Sequence, residues 1–199
     1  MSTADEYAKG RVKTIVGMAV GFTTMMRVFE KGSVRIIEGM VEEVLSKLPA
    51  IGDQREFDGL HDAFCDNFVK TIHSSRSQDG EYPSASYGQA AKVLDVALKA
   101  CVDYCQLPDV ATSKRLLPFL HAGIDTYILD ELKKREKGAF KVWSLQEIDR
   151  DMYLRLQDAV IRHIEDEFNG EISRVVYDNI IWRRATKSDE PTDSTPRRA

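Results

Sequence analysis

Apolar residues recur along the chain three and four positions apart, in segment after segment, and no stretch alternates apolar with polar. That period belongs to helices packed on one face, so the pattern predicts an all-α protein of about eight helices and no sheet. Ser33 opens a helix whose core side carries Ile36, Ile37, Met40, Val41, Val44, Leu45 and Leu48, ended by Pro49 and Gly52. Asp53-x-x-Glu56 opens the next, with Phe57, Leu60, Phe64, Phe68 and Ile72 inward. Residues 74–85 are polar, contain Gly80 and Pro83, and read as a loop.

The central segment begins at Ser86-x-x-Gln89, the signature of a capping box. Behind it Tyr87, Ala91, Leu94, Leu98, Cys101 and Cys105 form one apolar stripe, to a helix end near Gln106. Gln89, Lys92, Val96, Lys99 and Asp103 form a second stripe, which points two lysines seven residues apart in the same direction. Further helices are predicted through Leu116 and Leu117 to Pro118, from Ile124 to Glu136, from a Ser144-x-x-Glu147 cap through His163, and from about Glu171 to Arg184. Residues 185–199 are polar and proline-bearing, and are expected to be disordered. The expected organisation is one helical domain over residues 1–184, divided at most into two lobes with a cleft between them.

Thr3-x-x-Glu6 is a cap for a first helix, which runs into the longest uncharged stretch, Thr14 to Met26. Thirteen residues are too few to span a bilayer, and no leader-type cleavage site follows, so a buried helix is expected. Gly17 and Gly21 would admit a close helix neighbour.

Composition changes this picture little. With 28 Lys and Arg against 32 Asp and Glu, the net charge of −4 offers no global field for nucleic acid, and any such contact must be local. Three cysteines without C-x-x-C spacing suit a reducing cytoplasm and cannot hold an ordinary iron–sulfur cluster. His121 and Asp125, four apart, supply only two ligands. No metal motif, phosphate-binding loop or nucleophile elbow is present, and no cofactor is expected. Two R-x5-H strings, Arg55 to His61 and Arg115 to His121, match the spacing of one class of helical ribonucleases, although Pro118 interrupts the second.

A more specific pattern runs through Lys92, Lys99, Asp125, Asp178 and Trp182. In Ala91-Lys92-Val93, Ala97-Leu98-Lys99, Gly123-Ile124-Asp125, Tyr153 with Gln157, and Tyr177-Asp178-Asn179-Ile180-Ile181-Trp182, the chain resembles the archaeal 8-oxoguanine DNA glycosylases of the helix-hairpin-helix base-excision superfamily. The likeness covers residues 84–184. It departs from the family at Gly123, where a proline stands, at Val96, where an aromatic stacks on the extruded base, and in having one hairpin glycine, Gly88.

The resemblance implies a helix-hairpin-helix fold and a glycosylase with lyase activity on a damaged or modified purine. Lys92 is then the nucleophile and Asp125 its acid–base or electrostatic partner. Lys99, Val96, Asp178 and Trp182 meet the flipped base, and Ser86, Gly88 and Gln89 hold the DNA backbone through main-chain amides. A lysine attacks only when unprotonated, and a second cation such as Lys99 on the same face favours that form. The implied partner is DNA, with no membrane, and the chain would act as a cytoplasmic or nucleoid-associated monomer. The alternatives are a non-catalytic helical interaction module and, after it, the ribonuclease.

Overall fold

The computed structural model describes residues 3–22, 24–75 and 81–188. Eight α-helices follow one another: α1 (Thr3–Phe22), α2 (Ser33–Lys47), α3 (Gln54–Thr71), α4 (Tyr87–Leu98), α5 (Val110–Leu116), α6 (Thr126–Arg135), α7 (Arg150–Phe168) and α8 (Arg174–Ser188). Short 3-10 turns lie at Thr24–Arg27, Leu48–Ala50 and Leu145–Glu147. Among the described residues there is no sheet, only two isolated bridges, Phe29 to Ser74 and His73 to Ser84. No described helix is long and apolar enough to cross a membrane.

Most helix starts follow from local chemistry. Asp53, Ser86, Asp109, Asp125 and Asp149 each accept a hydrogen bond from an amide three residues on, satisfying a donor the helix itself cannot use. At Ser86 the box is complete, with the Gln89 side chain returning to the Ser86 amide at 2.9 Å.

Two boundaries differ from expectation. Ser144 caps no long helix: its hydroxyl donates to Glu147, whose carboxylate also takes the Trp143 amide, closing a single 3-10 turn. Ile148 is then extended, and α7 starts afresh from Asp149. At the far end α8 continues to Ser188, so residues 185–188 are helical instead of disordered, and residues 189–199 lie outside the described residues. Of the two α1 glycines expected to admit a neighbour, Gly17 faces Glu38 of α2 while Gly21 has open space.

α4 is the axis of the molecule. It packs against α3, α1 and α7 within one continuous core. Its buried residues include not only the predicted stripe but also Ala90, Val93, Asp95 and Ala97. Lys92 and Val96 alone reach partial exposure on it, followed by Lys99 and Ala100.

Behind α4 lies a polar cluster that one apolar stripe does not anticipate. His61, Asp95, His121 and Tyr153 are all buried. Burial pulls the His61 pKa down, but Cys65 and the Asp95 carboxylate at 3.1 Å outweigh it and hold it at about 10. His121 goes the other way, to about 4, because burial is reinforced by His61 and only partly opposed by Asp58.

Candidate active site

The second stripe of α4 opens into a pocket of about 530 Å³, whose floor is polar and whose walls are largely apolar. Lys92 and Val96 enter from α4, Lys99 from the turn that continues it, Asp125 from the cap of α6, and Asp178 and Trp182 from α8, so all six residues assigned to catalysis or base contact line one cavity. α1 supplies a further wall through Ile15, Met18 and Ala19.

Two ion pairs form the floor. Lys92 Nζ donates to Asp125 Oδ2 at 3.1 Å and to the Gly123 carbonyl at 2.9 Å. Lys99 Nζ donates to Asp178 Oδ2 at 2.9 Å, and the Gly123 amide reaches the same oxygen at 3.4 Å. Gly123 therefore stands between the pairs, and a Cβ there would lie 3.2 Å from Lys92 Nζ and 3.3 Å from Asp178 Oδ2. Both lysine side chains are largely enclosed, which strengthens these contacts relative to bulk water.

The segment bearing Gly123 belongs to no helix and needs outside partners for its amides. Gln157 of α7 provides them, accepting from the Ala122 amide at 3.1 Å and donating to the Ala122 carbonyl at 2.8 Å. Asp125 then caps α6, its Oδ1 accepting from the Ile128 amide at 3.0 Å while Oδ2 faces Lys92. One carboxylate thus does two jobs on different oxygens.

Trp182 lines the pocket and is 49% exposed, so it is not packed into the core. Asp178 beneath it is buried.

The expectation for Ser86, Gly88 and Gln89 is corrected. The Gly88 amide donates to the Ile148 carbonyl at 2.9 Å, the Gln89 amide to Ser86 Oγ at 3.1 Å, and the Ser86 amide to Gln89 Oε1. The Ser86 hydroxyl is also committed, to the Leu145 carbonyl at 2.6 Å. None of these amides is free for a phosphate. Gly88 is there for packing, since a Cβ would fall 2.5 Å from Ile148 Cβ and 2.7 Å from the Leu145 carbonyl oxygen. These three amides therefore offer nothing to a nucleic-acid backbone, and Arg183 of α8 is a further cation lining the pocket.

The arginine–histidine strings do not assemble a second site. His61 and His121 are both buried, Arg55 is exposed, and Arg115 is spent on the Leu48 and Pro49 carbonyls. Neither pair can present itself to a scissile phosphate.

Sequence reasoning also missed pocket residues. After Leu98 the helix widens into a π turn, Lys99–Tyr104, closed by the Cys105 amide on the Ala100 carbonyl at 3.0 Å. The extra residue in that turn rotates Tyr104 and Cys105 onto the pocket wall, where α-helical spacing would have put Asp103. Tyr104 is tied there by its hydroxyl, which donates to Asn179 Oδ1 at 2.8 Å. Ile15 and Met18 of α1 carry no chemical signature that sequence could flag. Comparison with family models, with curated proteins and with solved structures finds no match to this chain.

Proposed function

We propose that the protein is a DNA glycosylase with lyase activity, removing a modified purine through a lysine imine. The observation that carries this reading is the Lys92–Asp125 pair in the floor of an apolar pocket with Trp182 at its rim. An interaction module has no need of a largely enclosed amine and carboxylate paired in one cavity.

The chemistry uses these groups in turn. Lys92 passes a proton to Asp125 across their 3.1 Å contact and attacks the sugar C1′ as a neutral amine. The C1′–N9 bond breaks, its electron pair leaves with the base, and the base takes a proton, for which protonated Asp125 is the source. The new ammonium nitrogen then returns one proton to Asp125, now a carboxylate, and the aminal opens: C1′–O4′ breaks, O4′ takes that proton, and the freed nitrogen lone pair forms the protonated imine. The Gly123 carbonyl holds Lys92 in position through the sequence. Reaching C1′ requires the nucleotide to leave the helix stack, and Trp182 offers the freed base a flat surface. Asp178, oriented by Lys99, accepts from the purine N–H groups.

Borohydride reduction of the protein with duplexes carrying a panel of purine lesions tests this directly, because it converts the imine to a stable adduct. A covalent complex is expected with at least one lesion and none with Lys92→Gln of unchanged thermal stability. An adduct of undiminished yield in Lys92→Gln would remove Lys92 from the mechanism.

A further inference from the structure

The polar cluster behind α4 takes no part in the chemistry proposed for the pocket. Tyr153 Oη lies 2.8 Å from Asp95 Oδ2, 3.0 Å from His121 Nδ1 and 3.3 Å from His61 Nε2. His61 Nε2 is itself 3.1 Å from Asp95 Oδ1. Ligand atoms of His61, Asp95 and His121 all fall within 4.8 Å of one another, and all three residues are buried.

Hydrogen bonding leaves this cluster short of protons. The outer nitrogen of His121 faces Asp58 Oδ1 at 2.9 Å, and the outer nitrogen of His61 faces Cys65 Sγ at 3.7 Å. A proton on each outer nitrogen turns both inner nitrogens into lone pairs, and at His61 the ion takes the place of a second proton that Asp95 otherwise holds on Nε2. The Tyr153 hydrogen is then the single donor for two imidazole nitrogens and two carboxylate oxygens. Protonating His61 on both nitrogens serves Asp95 Oδ1, yet His121 Nδ1 and Asp95 Oδ2 still compete for that one hydrogen. A Lewis acid at the centre meets the surplus of lone pairs at once. The Asp58–His121 contact has the form of a second-shell carboxylate orienting a metal-bound imidazole.

The spacing agrees. Tetrahedral zinc, with bonds of about 2.0–2.1 Å, sets neighbouring donor atoms roughly 3.3–3.4 Å apart. Four of the donor contacts here lie between 2.8 and 3.3 Å, and the ligand atoms of His61, Asp95 and His121 stand within 4.8 Å of one another, so a modest rearrangement of side chains would admit the ion. Two imidazoles with one carboxylate favour a zinc-class cation over calcium or magnesium.

We propose that His61, Asp95, His121 and Tyr153 form a closed structural site for a divalent cation of the zinc class. The ion enters by way of Asp58, whose side chain is 44% exposed, through a cavity of about 300 Å³ that reaches His121. Its effect is on the pocket. Asp95 lies between Lys92 and Lys99 in sequence, and His121 lies two residues before Gly123, whose carbonyl holds Lys92. One ion joins α3, α4, α7 and the segment leading to Asp125, fixing both walls of the lysine pair. The proposal is independent of the glycosylase reading.

The test uses the full chain, purified without an affinity tag and stripped with a chelator. Added Zn²⁺ is expected to bind one to one and to raise the Tm by roughly 5–10 °C at about a hundredfold excess over Kd. Co²⁺ is expected to give the visible absorption of a four-coordinate site. Asp58→Asn should keep the fold and weaken Zn²⁺ binding about 10- to 100-fold, and His121→Gln should remove it. Absence of one-to-one binding would overturn the proposal and leave a hydrogen-bonded core cluster. Unchanged affinity in Asp58→Asn would overturn it also, and decides the matter if His121→Gln does not fold.

Discussion

Lys92 and Asp125 are 33 residues apart in the chain, yet Nζ and Oδ2 meet at 3.1 Å, while the other oxygen of Asp125 caps α6. The two oxygens separate two roles that a single substitution can distinguish. Asp125→Asn keeps an oxygen for the Ile128 amide, and asparagine is as good a cap as aspartate. It removes the proton acceptor. Cleavage is therefore expected to slow by roughly 10² to 10⁴ with the melting temperature nearly unchanged. Single-turnover rates beside a thermal melt check this; a rate within threefold of the parent would reduce Asp125 to a helix cap.

The helices were legible because each reveals itself locally, through a cap and an apolar period. The convergence of Lys92, Asp125 and Asp178 was legible only through the order of short motifs, since nothing in the spacing of an isolated lysine fixes what it faces. Three things were hidden for physical reasons. The π turn moves Tyr104 into the pocket without any residue type that demands it. His61, Asp95 and His121 come from three separate segments, so no ligand spacing exists to be read. Ser86, Gly88 and Gln89 carry the capping signal correctly, but a cap says nothing of the Leu145–Ile148 turn that covers it.

Gly88 is expected to tolerate no side chain. An added Cβ meets Ile148 Cβ and a backbone oxygen, and backbone cannot swing aside. Gly88→Ala gains helix propensity of about 1 kcal/mol but loses the close approach of α4 to the 145–148 turn. Overpacking of this kind costs about 1–3 kcal/mol, so a net loss of stability is expected. Chemical denaturation is the measurement, and a stabilised variant would show that the turn yields.

Acid should loosen the clamp between α6, α7 and α8. Glu167 pairs with Arg184 at 2.6 Å and with Arg135, and these two hydrogen bonds hold its pKa below the ordinary 4.5, with Arg184 the larger influence. A depressed carboxylate contributes stability above its unfolded pKa, and that contribution is lost as pH falls through the folded value. Glu167→Gln should therefore melt below the parent at neutral pH, with the gap narrowing at pH values under about 4.5. Melts from pH 7 to 3 read this out, and a gap that widened in acid would reverse the sign.

Val96 is expected to set which base the pocket prefers. It lies one turn beyond Lys92, lines the same cavity, and is partly exposed there, so it is not core packing. An aromatic in its place would close over a base from the side of α4, with Trp182 available across the cavity from α8. Stacking on one such ring is worth roughly 1–3 kcal/mol per base. Val96→Phe should therefore bind an 8-oxoguanine-sized base more tightly, by about 5- to 100-fold at that energy, and should exclude bulkier purines that valine admits. Because the added volume enters a cavity instead of the core, the melting temperature should fall little. A lesion panel with the parent and the variant gives the answer in one experiment: an unchanged ranking of substrates would mean that the base does not lie against Val96.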